Sequence, residues 1–308
     1  MLTWIVIFAA AVLAMPLTIE LTRKKMTAKA RRSAPGEFAQ LSQGVTHFQW
    51  TGPAEGPVAV CIHGLTTPSF VWQSTANGLA EQGFRVLTYD LYGRGYSDRP
   101  GGLQDDAFFI RELNDLLEHE DVDDDLTVIG YSMGGVVAAA FAAQHPHAVR
   151  EVILLAPAGM LTVGTGLLRS MVSVPVLGRW LMLALYPGIL RRGLKAEADQ
   201  PTTVPGINTL QQAELDWRGF IPAVHASLKG MLTGNVEPAH RALHTTEVPV
   251  MAIWAREDAV IPVSAAELLS QWNPDVTTHI LDDVGHNVTF QRTDEILTLI
   301  SGFTTARR

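Results

Sequence analysis

Five residues constrain this chain more than any others: Gly130-Tyr131-Ser132-Met133-Gly134. They join an apolar run, residues 126–130, to an alanine-rich stretch, Met133–Gln144, that reads as a helix. A strand turning directly into a helix leaves no room for a side chain on either flank of the turn, which accounts for both glycines. The same turn lifts the Ser132 hydroxyl off the end of the sheet and places a helix N-terminus beneath it. Gly135 extends the region of close backbone approach.

The strand–helix alternation continues along the chain. Residues 58–62, 85–90, 152–156, 248–254 and 278–281 read as strands, and 69–82, 105–118 and 295–300 as helical. This pattern predicts an α/β fold with a mostly parallel sheet and helices on both faces. The loops at the carboxyl ends of its strands are then the place for chemistry. Residues 161–247 are too long for a connecting loop and rich in Leu, Met, Trp and Pro. They are expected to form a helical cap between the sixth and seventh strands. The division expected from sequence is an anchor over 1–22, a polar linker over 23–43, a body over 44–160 and 248–308, and the cap over 161–247.

A serine hydroxyl is a weak nucleophile at neutral pH and needs a base and an orienting acid. Asp258 and His286 each follow a strand, so each belongs at the same sheet end as Ser132. The order Ser, Asp, His suits this architecture. His286 is expected to take the Ser132 proton and Asp258 to fix the imidazole tautomer. Backbone N–H groups of Leu65, after the first of these strands, and Met133 are the candidate oxyanion donors. His63 is read as ordering the Leu65 loop, Asp90 as capping the Gly93–Gly95 turn, and Tyr131 as packing beside the serine turn.

With Asp90-Leu-Tyr-Gly-Arg-Gly-Tyr-Ser97 after the fourth strand, these motifs resemble the α/β-hydrolase superfamily over roughly residues 44–305. Within it the chain is similar to the carboxylesterase and monoacylglycerol-lipase branch with a helical lid, some members of which begin with an apolar anchor. The resemblance implies carboxylic-ester hydrolysis through an acyl-enzyme on Ser132. Dehalogenases and epoxide hydrolases of the superfamily carry aspartate where Ser132 stands, and the HGGG oxyanion motif of the hormone-sensitive-lipase group is absent. Hydrolysis of a C–C bond, lactone or thioester by the same triad, or a silent ligand-binding role, stay open at this stage. The mechanism needs no cofactor, and His119, His145, His147, His240 and His244 lack metal-site spacing with carboxylates.

Residues 2–19 carry no charge, long enough for a transmembrane helix, and Arg23, Lys24, Lys25, Lys29, Arg31 and Arg32 follow. That order favours a retained anchor with the body on the cytoplasmic face, a signal peptide being the alternative. From residue 35 onward the chain holds 17 basic and 30 acidic residues, a balance that disfavours nucleic acid as a partner. A single cysteine, Cys61, excludes a disulfide framework. The expected partners are a small-molecule or lipid ester and a membrane, met through the N-terminal helix. The cap helices are read as packing their apolar face on the catalytic core, the alternative being that part of the cap, near Leu181 and Leu183, faces lipid. The sequon Asn287-Val288-Thr289 is read as chance, being next to His286.

Overall fold

The computed structural model describes residues 1–161, 166–174 and 176–305. An N-terminal helix, α1 (Leu2–Thr22), precedes eight strands: β1 (Glu37–Leu41), β2 (Gly44–Thr51), β3 (Val58–Ile62), β4 (Arg85–Tyr89), β5 (Leu126–Tyr131), β6 (Val149–Leu155), β7 (Val250–Ala255) and β8 (Thr277–Leu281). They form one sheet in the order β1-β2-β4-β3-β5-β6-β7-β8. From β4 to β8 all neighbours are parallel, while β1, β2 and β4 pair antiparallel. This is the α/β-hydrolase arrangement. After β3 the chain steps to one side to make β4, then crosses to the other to make β5. The switch point therefore lies between the carboxyl ends of β3 and β5, where crevices form in open α/β sheets.

Strand residues alternate between two apolar layers, as a sheet covered on both faces requires. Ala59 and Cys61 of β3 enter one, Val60 and Ile62 the other; Ile153 and Leu155 of β6 oppose Val152 and Leu154. The first layer is closed by α2 (Gln73–Glu81), α11 (Val288–Gln291) and α12 (Thr293–Thr305), the second by α3 (Asp106–His119), α4 (Met133–Gln144) and α10 (Ala265–Trp272). α3 shows why such segments become helices. Asp105 caps it by accepting the Phe108 N–H at 3.0 Å, and Phe109, Leu113 and Leu116 line one buried stripe.

Between β6 and β7 run α5 (Gly166–Ser173), α6 (Leu177–Ala196), α7 (Ile207–Glu214), α8 (Phe220–Lys229) and α9 (Glu237–Thr245). Residues 162–165 and 175 of the expected cap, and 306–308 of the body, lie outside the described residues. α9 packs on α4 and α10, with His240 stacked on Trp272 at 6.3 Å, so it extends the helical layer of the body although it falls within 161–247.

One expectation is corrected. The stretch 23–43 is no linker: it contains β1, and Arg31 pairs with Asp98 at 2.5 Å and donates to the Tyr96 carbonyl at 2.8 Å. A five-residue edge strand with only Ala39 and Leu41 buried carries too short an alternation to stand out. In the cap, α6 turns one face inward, with Leu183 buried and Leu181 half-buried against the core, so these two leucines pack on the body and do not face lipid.

Candidate active site

The turn between β5 and α4 holds Ser132 at φ 54°, ψ −118°, a conformation that costs a non-glycine residue backbone energy and recurs at functional sites. Sterics fix its neighbours. A Cβ on Gly130 would lie 2.3 Å from the Gly134 carbonyl oxygen, and one on Gly134 2.0 Å from that of Ile62. The serine is 8% exposed.

The His286 ring brings Ser132 and Asp258 together. Its Nε2 lies 3.0 Å from Ser132 Oγ and its Nδ1 2.7 Å from Asp258 Oδ2. A carboxylate cannot donate, so Nδ1 carries the proton and Nε2 is left to accept from the hydroxyl. The other Asp258 oxygen accepts the N–H groups of Val260 and Ile261, both at 2.7 Å. Tyr131 does more than pack: its hydroxyl donates to the His286 carbonyl at 3.0 Å, holding the loop that bears the imidazole. Such a series can draw the proton from Ser132 while the α4 N-terminus favours negative charge beside it.

The loop after β3 closes the site. Gly64 lies so near the serine that a Cβ on it would stand 3.2 Å from Ser132 Cβ. His63 fixes the peptide that carries the Leu65 N–H: its Nδ1 donates to the Gly64 carbonyl at 2.7 Å and its Nε2 accepts the Leu91 N–H at 2.8 Å. Both bonds need a neutral ring, and burial lowers the His63 pKa to about 4. Arg94, fully buried, holds the next peptide. Its Nε donates to the Leu65 carbonyl at 3.0 Å, and its terminal nitrogens reach the Tyr92 carbonyl, Gln104 and Ser227 at 2.7–2.8 Å. Ser227 stands on α8, and Gln211 of α7 reaches Thr67 at 3.3 Å, so the helices between β6 and β7 grip this loop. Sequence reasoning missed Arg94 as a support; its signal is a lone arginine between Gly93 and Gly95.

Asp90 stands apart from His286. It accepts the Ser69 and Tyr96 N–H groups at 2.8 and 2.9 Å and pairs with His47 at 2.8 Å. Burial opposes its charge, but the bond to His47 and the charge there hold its carboxyl below the usual range. Beneath the same turn Glu112 is fully buried against Thr46 and the Tyr92 N–H, and burial pushes it up to about 8. The folded chain thus keeps a proton that the unfolded chain releases above the ordinary carboxylate pKa. Stability contributed by this group is complete below that value and is lost as pH rises toward 8. Glu112→Gln is expected to flatten that fall, measured as the difference in urea midpoint between pH 5 and pH 8. An unchanged difference would contradict the assignment.

A cavity of about 400 Å³ opens on Ser132 and His286. Its wall is mainly apolar, with Leu190 and Leu194 of α6, Leu228 of α8 and Ile261 opposite. At its rim Asn287, the first residue of the sequon, donates to Glu197 at the end of α6 at 2.6 Å, joining the His286 loop to that helix. Among the described residues no cluster of His, Cys, Asp and Glu has the geometry of a metal site.

A family model described as serine aminopeptidase, S33, matches residues 54–293. The 2-hydroxymuconate semialdehyde hydrolase of Pseudomonas putida is 27% identical over 260 residues, covering 81% of this chain and 87% of the relative. Lipase 1 of Psychrobacter immobilis is 24% identical over 259 residues, covering 79% and 75%. Among solved structures, a membrane phospholipase A described as a bacterial virulence factor superposes with a TM-score of 0.71 at 22% identity, over 99% of this chain and 96% of that one.

Proposed function

We propose that this chain, which belongs to the serine aminopeptidase, S33, family of α/β-hydrolases, hydrolyses carboxylic esters through an acyl-enzyme on Ser132. The observation that carries this reading is the hydrogen-bonded series from Asp258 through His286 to Ser132, at 2.7 and 3.0 Å, opening on an apolar cavity. His286 Nε2 takes the hydroxyl proton as Ser132 Oγ attacks the ester carbonyl. The N–H groups of Leu65 and Met133 receive the developing oxyanion. His286 then returns the proton to the leaving alcohol, and water repeats the sequence to release the acid.

The preferred substrates in this reading are apolar acyl esters of the monoacylglycerol kind. The apolar wall supports that class, as do a lipase relative and a membrane phospholipase that shares the fold. α1 acts as a retained membrane anchor rather than a cleaved signal, since Pro16 and Glu20 are buried against the body. The basic residues after it favour a body on the cytoplasmic face.

The test is turnover of a chain-length series of p-nitrophenyl esters and monoacylglycerols by the full chain beside Ser132→Ala. Ester turnover that vanishes in Ser132→Ala is the expected result, its optimum sizing the acyl site. A wild type that reacts with a fluorophosphonate yet turns over no ester would sink the ester reading. It would move the search to C–C bonds, lactones and thioesters, with 2-hydroxymuconate semialdehyde, the compound in the Pseudomonas putida relative's name, tried first.

A further inference from the structure

α1 meets the body along a seam rather than at a point. Leu13, Pro16 and Glu20, three and four residues apart, share one helix face. Pro16 and Glu20 are buried, and the Leu13 carbonyl accepts the Trp180 indole N–H at 2.8 Å. Glu20 accepts the Gly219 N–H at 2.6 Å and pairs with Arg23 at 3.1 Å. Gly219 precedes α8 and offers no side chain of its own. A carboxylate from α1 therefore accepts the N-cap N–H that a Glu or Gln at the third helical position would accept in a capping box, a position that α8 fills with Pro222. Next to it Lys24 makes two backbone bonds, donating to Asp216 at 3.0 Å and accepting from Arg218 at 2.8 Å. These contacts fix the height of α1 against the rest of the chain.

α6 runs alongside α1 in the same direction. Trp180 meets Leu13, and eleven residues further on Arg191 comes near Arg23. The start of α6 consequently lies toward the N-terminal end of α1. Leu13 is seven residues from Glu20, the first charge, or about 10 Å along the helix; α6 begins three residues before Trp180, roughly another 5 Å. Beyond the seam only residues 2–12 project, about 16 Å. A hydrocarbon core of about 30 Å needs about 20 helical residues. A bilayer that takes up the apolar run of α1 must therefore also take up the turn between α5 and α6.

That turn has the surface for it. Val174, Val176 and Leu177 are 41%, 87% and 52% exposed. Arg179, one turn away, is exposed and acts on the charge of Glu20, so its guanidinium lies toward the polar end, as a snorkelling cation does. We propose that the turn carrying Val174, Val176 and Leu177 is a second membrane-contacting element, inserted into the leaflet through which α1 leaves the bilayer. It rests on the reading of α1 as a retained anchor, and its partner is a phospholipid bilayer.

Cys61 is fully buried, so a cysteine placed on the surface is the one that reacts. Val176→Cys, Phe8→Cys and Asp123→Cys, each in the full chain, would be labelled with nitrobenzoxadiazole and reconstituted into phosphatidylcholine vesicles with brominated acyl chains. Asp123 is exposed just before β5, at the sheet end opposite the cavity, and serves as the aqueous control. Turnover of p-nitrophenyl acetate or labelling by a fluorophosphonate reports that each variant is folded. The expected result is quenching at position 176 at least half as strong as at position 8, with none at 123. Quenching at 8 alone, with 176 behaving like 123, would overturn the inference and leave the anchor standing. No quenching at 8 would remove the anchor and the inference together, whatever the esterase assays gave.

Discussion

Replacing Asp258 by asparagine is expected to lower kcat/KM for a soluble ester by about ten-thousand-fold, roughly 5.5 kcal/mol of transition-state stabilisation, with the fold retained. The direction follows from how the carboxylate is held. One oxygen faces two backbone donors, the N–H groups of Val260 and Ile261, each at 2.7 Å. In the amide that position must be kept by the carbonyl oxygen, because an NH₂ there would face two N–H groups. The NH₂ is then forced toward His286 Nδ1, which becomes an acceptor. The ring proton moves to Nε2, and the nitrogen 3.0 Å from Ser132 Oγ can no longer take a proton from it. The loss should fall on kcat and on the rate of fluorophosphonate labelling, while KM and the circular dichroism spectrum change little. A loss smaller than tenfold would mean that some other acid orients His286. Among the described residues Asp90 is the other buried aspartate, and its bonds to His47, Ser69 and Tyr96 hold it elsewhere.

What could be foreseen from the sequence is what local sterics dictate. The glycines at 130 and 134 reveal the turn because nothing larger fits it, and Asp258 and His286 reveal themselves by following strands that must end on the same side. What escaped depends on partners distant in the chain. Glu20 looks like the first charge after an apolar run, yet it is buried on Gly219 of α8's leading turn. The segment after it is polar enough to pass for a tether, and only the pairing of Lys24 with residues 216–218 and of Arg31 with Asp98 shows that it is docked. Leu183 and Val176 are equally apolar, and no periodicity in so uniformly apolar a stretch says that one packs inward and the other outward. Arg94 is the sharpest case: a cation between two glycines reads as a surface turn, and its acceptors come from positions 65, 92, 104 and 227.

Those acceptors set the second large expectation. Arg94→Met should destabilise the chain by roughly 3 kcal/mol or more, the range for removing one partner from a buried charged network. Methionine fills much of the volume but donates nothing. It would strand the carbonyls of Leu65 and Tyr92, leave Gln104 Oε1 and the Ser227 hydroxyl with only their bond to each other, and remove the cation near Glu112 and Glu214. Burial already pushes Glu112 to about 8 and Glu214 to about 7, so losing that charge drives both further toward their neutral forms. The catalytic consequence separates Arg94 from an ordinary core residue. Its Nε bond fixes the carbonyl of Leu65 while His63 fixes that of Gly64, so the peptides on either side of the Leu65 Cα are both pinned. Freeing one lets the Leu65 N–H drift from the place where the oxyanion forms. A mispositioned donor of that kind costs about a hundredfold in kcat, with KM for a short ester nearly unchanged because the cavity wall is intact. Arg94→Lys, which can satisfy some acceptors, should recover part of the stability and less of kcat. If Arg94→Met lowers the melting temperature while kcat measured well below it stays within threefold of wild type, Arg94 supports the fold alone and the Leu65 loop holds its geometry without it.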